Sequence, residues 1–562
     1  MATHRRSVHQ PPARPHAAPP GDVAPPDPPP APAAAATPAD AVSVIVLDPV
    51  HAPGGGSEGR TPPSPPPRLW WRAALASSPH DATILGLALP ALGSLMLDPI
   101  LSLVDTSAWR EGGSGARVRS LGRGAAHTNL SSPFPPLLPP PSGLVGRLGT
   151  EPLAAVGLSS IAFTFFAILF NFLIFVTTPA VAAAAARSDW DEVAAINARG
   201  LWVAAVCGAV SGVGLWAAAP MLARAAGATP TVAAFAVVYL RCRALACPAL
   251  LIIFVACGAF RGVRDTRTPL AAAAVANAVN LAGDVFLMFG LGMGVAGAAL
   301  ATAASQYVSA GLLVASLGRR GMLKAGALRT PPTPASCIPL LRSGAALAVR
   351  NVATMSVILV GTRHVAALGA ATTAAHEVMR QLYIASVQVF SALDVACQSL
   401  VATYVGGGDP ASARAVIARG LQVGVAAGAA VGLCLAAASA WLPSLFTSDA
   451  AVAAAAGAVM PVMAAFMPVD AAAAVLEGGL LGASETAWVA RCTILVSAAC
   501  LAALLGARAA GGGLLGVWLS FKTLSVGRAL AAGLRYADPG SPLGRDAGKK
   551  KEVERAAAAG AG

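Results

Sequence analysis

Charge is scarce in this chain, and so are aromatic rings. Of its 562 residues only 12% are Asp, Glu, Lys or Arg and 5% are aromatic, against 56% hydrophobic. So few charges cannot cover that much apolar surface in water, which excludes an ordinary soluble domain. The motifs of common enzyme chemistry are missing as well. There is no HExxH, no GxSxG with a partner triad and no phosphate loop, so an intramembrane enzyme or a receptor is only a distant alternative. The nine cysteines form no CxxC and no histidines cluster near them, so neither a metal site nor a disulfide framework is expected. Most lie in or beside apolar stretches, where Cys behaves as a small apolar residue. No secretory signal peptide is expected within residues 1–80.

What the chain has in abundance is long apolar runs. They cover 82–104, 154–181, 200–220, 233–259, 270–290 and 293–317, then 338–361, 376–404, 420–441, 452–482, 488–506 and 512–534. Runs of this length are read as membrane-spanning helices, and their Ala and Gly content lets helix backbones approach closely. The expected fold class is therefore an all-α polytopic membrane protein with twelve spans, six in each half, with the lipid bilayer as its surroundings.

The two halves repeat one another. Residues 258–266 read GAFRGVRDT and residues 478–486, 220 positions on, read GGLLGASET. At the same offset Asp189 and the string Ala198-Arg199-Gly200-Leu201 meet Asp409 and Ala418-Arg419-Gly420-Leu421. A duplicated apolar unit is the signature of a transporter built from two homologous bundles with the path between them. An even number of spans per half makes the repeats parallel.

The net charge of +13 does not point to nucleic acid. Arg187, Arg199, Arg261, Arg264, Arg267, Arg319, Arg320, Arg414, Arg419 and the tail residues Lys549, Lys550 and Lys551 fall in alternate loops on one side. That pattern sets membrane orientation and places both termini on the cytoplasmic or stromal side. The organisation that follows is a Pro/Ala-rich disordered tail over 1–80, an N-lobe over 81–320, a linker over 321–337, a C-lobe over 338–535 and a polar tail over 536–562. The first residues carry Arg5, Arg6 and Arg14 without an acid, a feature of organelle transit segments that a plain disordered tail also shares.

One segment breaks the repeat. Between Thr106 and Val145 lie 38 residues where the second half has two, Arg363 and His364, an excess of 36 that equals the change in offset from 220 to 256. The extra segment, 107–142, is Gly/Ser/Arg-rich and ends in PFPPLLPPPSG, whose codons are pyrimidine-rich like the end of an intron. It reads either as a translated intron or as a real disordered loop; transcript sequencing across codons 100–150 separates the two.

With spans and repeat in place, several strings resemble the multidrug and toxic compound extrusion (MATE) family: LALPALGSLMLDPILSLVDT, VGRLGTEPLAAVG, FRGVRDTRTPL, Asn280-x-x-x-Asp284 and GVAGAALATAASQ. The nearest likeness is to its DinF-like branch, which includes plant plastid and organic-acid exporters. The resemblance covers about 80–535. It implies twelve helices in two lobes and a secondary antiporter, driven by inward proton or sodium movement, that exports small organic compounds. No cofactor beyond the coupling ion is implied, and a monomer is expected.

Ionisable groups inside spans are costly, at least about 2.5–3.5 kcal/mol near the bilayer centre, so each needs a cavity or a partner. Asp105 ends the first span, seven residues after Asp98-Pro99, and Pro90 and Pro99 allow that helix to bend. By resemblance Asp105 is a proton-linked carboxylate; an interfacial helix cap is the plainer reading, and Asp98 is a secondary candidate. Asn280 and Asp284 share one helix face and can relay a proton or hold a cation with oxygen ligands. By resemblance Thr302 completes their cluster, while a family Asn in the fourth span is Gly258 here.

In the second half, Asp470 matches the cation-site carboxylate of the NorM-like branch. Glu477 lies two turns on, Asp394 and Gln398 form an i, i+4 pair, and His376-Glu377 stands where the family has His-Gln. Arg350 is expected to neutralise one of these acids, as the one strong intramembrane cation. These groups can host an ion or form internal ion pairs. Burial disfavours the charged form of a carboxylate, so one in a dry cavity can exchange protons near neutral pH. Predominantly acidic cavities suit organic cations, whereas organic acids need a basic surface. The related lipid-linked-sugar flippases share the two-lobe plan but tend to carry cationic cavities. Plastid envelope, vacuolar and plasma membranes all remain compatible with the sequence.

Overall fold

Long stretches of Ala, Leu, Val and Gly form helices in an apolar surround because every backbone N–H and C=O must be paired within the segment. The computed structural model describes residues 78–95, 145, 148–447 and 449–544. Asp98, Pro99, Asp105, the segment 107–142 and most of both tails lie outside the described residues.

In chain order the helices are α1 (Asp81–Leu95), α2 (Thr150–Phe170), α3 (Phe172–Ala186), α4 (Trp190–Ala225), α5 (Pro230–Ala244), α6 (Cys247–Gly262), α7 (Arg267–Asp284) and α8 (Gly294–Arg319). After a short linker helix, α9 (Ala325–Arg329), come α10 (Pro334–Ala366), α11 (Ala370–Gly407), α12 (Pro410–Ala438), α13 (Ala450–Ala465), α14 (Met467–Gly482), α15 (Thr486–Ala509) and α16 (Gly513–Ala537). No strand occurs among the described residues. Eight spans are long and apolar enough on their own, α2 and α3 counting as one, and α5–α6 and α13–α14 are two more, bent by 47° and 48°. The described part of α1 and the less apolar α16, which carries Lys522 and Arg528, complete twelve. Each span read from the sequence finds helix among the described residues, the first over 82–95 only, and α1 runs helical through Pro90.

The duplication is visible atom by atom. Asp189 and Asp409 cap equivalent helices, their carboxylates accepting from the backbone N–H of Glu192 at 2.8 Å and of Ser412 at 3.0 Å. Arg264 and Ser484, 220 positions apart, end the equivalent helices α6 and α14 in the same left-handed conformation, with φ of 60° and 64°. Small residues hold the bent spans together. A Cβ at Gly208 would meet the Pro248 Cα at 2.5 Å, and one at the equivalent Gly428 would meet the Pro468 Cα at 2.7 Å. Both glycines let α4 and α12 touch the backbone just past the bends of their lobes.

The lobes meet mainly along α3 against α11, with α10 against α2 and α3. Asn351 of α10 donates to the Ile168 carbonyl and the Asn171 side-chain oxygen, each at 2.9 Å. Towards the face where α1 begins, Arg264 donates to Thr403 at 3.3 Å and the Ser399 hydroxyl bonds the Arg261 carbonyl. At that face too, Arg419 of α12 binds Asp81 of α1.

Candidate functional site

In the N-lobe, α7 and α8 lie side by side and bring Asn280, Asp284 and Thr302 together, all 5% exposed or less. The Asn280 amide has both ends satisfied when its NH2 donates to Asp284 Oδ2 at 3.2 Å and its oxygen accepts from the Thr302 N–H at 3.1 Å. The Thr302 hydroxyl donates to the Ala298 carbonyl at 2.9 Å. Asp284 Oδ1 has no hydrogen-bond partner among the described residues, although the side chain is only 1% exposed. The helix changes to π-geometry immediately after this residue, over Val285–Gly290. Such bulges gather at functional positions, because the extra backbone atoms turn a side chain out of register. Tyr239 of α5 lies within electrostatic range of Asp284, and Arg243 stands one turn beyond it. Gly258 packs directly on the Ile174 carbonyl and Thr177, so no larger side chain fits there.

The C-lobe carries different chemistry on the same scaffold. Asp470 accepts from Lys522 Nζ at 2.8 Å, from the Tyr383 hydroxyl at 3.2 Å, and from Ser525. Glu477 accepts from Arg350 at 3.2 Å and from Arg528, whose Nε donates at 2.8 Å. Arg350 therefore neutralises an acid as expected, but Lys522 and Arg528 stand beside it. The sequence reading of a mainly acidic set with a lone arginine misses these two α16 cations. Their signal was present: two basic residues six positions apart within an otherwise apolar span. The network sets three cations against two carboxylates, and its more accessible members are cations, Arg528 at 28% and Arg350 at 13% against Glu477 at 7%.

Asp394 and Gln398 lie on α11 behind this network. Asp394 Oδ1 and both amide atoms of Gln398 are buried without a hydrogen bond among the described residues. They pack on Gly478 and Gly482 of α14, where a side chain would collide. His376 stacks near Trp518 at 5.7 Å, and Glu377 pairs with Arg380 on its own helix. Asp470 and Glu477 thus answer to separate cations rather than forming one acidic site.

The MatE family model matches residues 142–286 and 346–506. Protein DETOXIFICATION 44, chloroplastic, of Arabidopsis thaliana is 30% identical, with 82% of each chain covered. DNA damage-inducible protein F of Escherichia coli is 31% identical over 46% of this chain and 48% of its own. Among solved structures, a crystal structure of MATE in the bent conformation superposes with a TM-score of 0.67 at 17% identity, covering 83% of this chain and 95% of that one. That likeness establishes the arrangement of two six-helix lobes.

Proposed function

The chain belongs to the MatE family of multi-pass membrane transporters, and from that premise we propose that Asp284, with Asp105, carries the ion coupling of a secondary antiporter for small organic compounds. The unpartnered Asp284 Oδ1 carries the proposal. An ionised oxygen held out of water without a hydrogen bond is costly, and taking up a proton or a cation removes that cost. Asn280 steadies the other oxygen and Thr302 steadies Asn280, so the free oxygen is the one presented to an ion. When the lobe is loaded it can close around a neutral core; when it is empty, the charge requires a hydrated cavity. If substrate and ion compete for one open state, an inward ion gradient drives substrate outward.

The C-lobe network bears on substrate class. Arg350 and Arg528 share one acid, Glu477, and are its more accessible members, which favours substrates bearing a carboxylate over purely cationic ones. Asp470 has its oxygens engaged by Lys522, Tyr383 and Ser525, and we assign it to holding α16 against α14 rather than to coupling. The acid-free basic N-terminus and the chloroplastic relative support the plastid envelope, with both termini stromal as the loop charges favour.

The test is flux into proteoliposomes holding the chain without 107–142, under an imposed proton or sodium gradient, with labelled citrate beside a cationic dye. Uphill flux should collapse with an ionophore and with Asp284→Asn. Undiminished gradient-driven flux in Asp284→Asn would sink the assignment, and movement of a lipid-linked sugar with no gradient dependence would favour a flippase instead.

A further inference from the structure

The polar surface between α7 and α8 does not stop at the Asp284 cluster. Asn277 lies one turn before Asn280 on the same face of α7, and Gln306 lies one turn after Thr302 on α8. Both are buried, at 8% and 3% exposure, and all four of their amide atoms lack a hydrogen-bond partner among the described residues. Four unpaired polar atoms in the interior of a membrane bundle are expensive, and such groups are normally satisfied by ordered water. Room for it exists: a cavity of about 20 Å3 is lined by Asn277, Gln306 and Ser309, with Cys257, Ala273 and Pro269 among its other walls. A cavity of that size holds about one water.

The position of this pocket is directional. Because α7 and α8 are antiparallel, Asn277 and Gln306 both lie on the side of the Asp284 cluster nearer the face where α1 begins. Pro269 is in the first turn of α7, and just beyond it, at that face, Arg320 pairs with Asp265 at 2.7 Å. From Asp284 to Pro269 is fifteen residues, roughly 22 Å of helix at 1.5 Å per residue. The stripe of Asp284, Asn280, Thr302, Asn277, Gln306 and Ser309 descends along this stretch.

We propose that the Asn277–Gln306 pocket is a hydrated relay that carries protons between Asp284 and the face where α1 begins. The inference rests on the reading of Asp284 as the coupling group, and it selects the proton as the coupling ion. A hard cation needs about six oxygen ligands, whereas this pocket supplies two amide oxygens and one hydroxyl, with no carboxylate and space for one water. A proton needs only a group that both donates and accepts at one atom, which water provides, and the unpaired amides of Asn277 and Gln306 hold that water in place by hydrogen bonds. Cys257 is the one titratable side chain among the pocket's lining residues; at the Asp284 end, Tyr239 faces the carboxylate with Arg243 beyond it.

The proton itself is the probe. The full chain, reconstituted in either orientation on a solid-supported membrane, is given a pH jump from one face and the charge displacement is recorded. Gln306→Leu and Asn277→Leu should slow the transient from the face where α1 begins by at least about tenfold, leave the transient from the opposite face unchanged, and recover with Gln306→Asn. Equal rates from both faces in the leucine variants would overturn the relay. Should those variants fail to fold, Asn277→Ala and Gln306→Ala enlarge the pocket and admit more water, so their rates must hold or rise; a tenfold fall there overturns it too. Asp284→Asn abolishes both transients if the coupling assignment is right, so a transient that persists in it refutes that assignment separately. A transient evoked by a sodium jump at constant pH refutes the choice of ion.

Discussion

Arg419 grips Asp81 across the two lobes through both carboxylate oxygens, its Nε at 2.6 Å and its Nη2 at 2.8 Å. The two residues are 338 positions apart, one on the first helix of the N-lobe and one on the third long helix of the C-lobe. A bidentate, charge-assisted pair is geometrically specific, and this one ties the lobes at the face where α1 begins.

That pair should act as a latch. Asp81→Ala is expected to raise labelling of a cysteine placed between α1 and α12 at this face, by releasing the contact, with little change in unfolding temperature. The exchange Asp81→Arg with Arg419→Asp should return labelling to the parent level. Unchanged labelling in Asp81→Ala would show that the lobes are held there by apolar packing alone.

The equivalent glycines at the bends predict equivalent penalties. Gly208→Ala and Gly428→Ala both drive a Cβ into proline backbone, which cannot swing aside as a side chain would. Each should destabilise its lobe by about 1–3 kcal/mol, read as a fall in the thermal unfolding midpoint in detergent. Gly214→Ala, which meets nothing within 4 Å, is the control and should leave the midpoint unmoved or raise it.

The Asp470–Lys522 pair separates a structural role from a coupling role. Both side chains are nearly inaccessible, at 6% and 3%. Removing one partner of a buried pair leaves an uncompensated charge and costs about 3–5 kcal/mol, so Asp470→Asn should express poorly or melt early. The double variant Asp470→Asn with Lys522→Met should regain stability, and with it gradient-driven flux. Regained stability without regained flux would move Asp470 back among the coupling groups.

Much of the fold was legible because its signals are local or repeated. Apolar runs mark spans wherever they occur, and the 220-residue offset aligns Asp189 with Asp409 and Arg264 with Ser484 before any coordinates are known. Asn280 and Asp284 were legible as a pair because four residues on one helix share a face. Lys522 and Arg528 were not linked to their acids, since the rotation of α16 about its axis decides which carboxylate each one meets. Nothing in the spacing of the sequence marks out Gln306; only the lack of a hydrogen-bond partner for its amide among the described residues, and the cavity beside it, set it apart.

By itself, then, the sequence determined the number of spans, their duplication and the shared helix face of Asn280 and Asp284, because hydropathy and helical period act over a few turns. The tertiary structure alone decided which charges neutralise one another, which buried amides are left unpaired and where the lobes are tied. Those outcomes depend on contacts between helices distant in the chain, made at separations of about 3 Å, where a small rotation of one helix exchanges one partner for another.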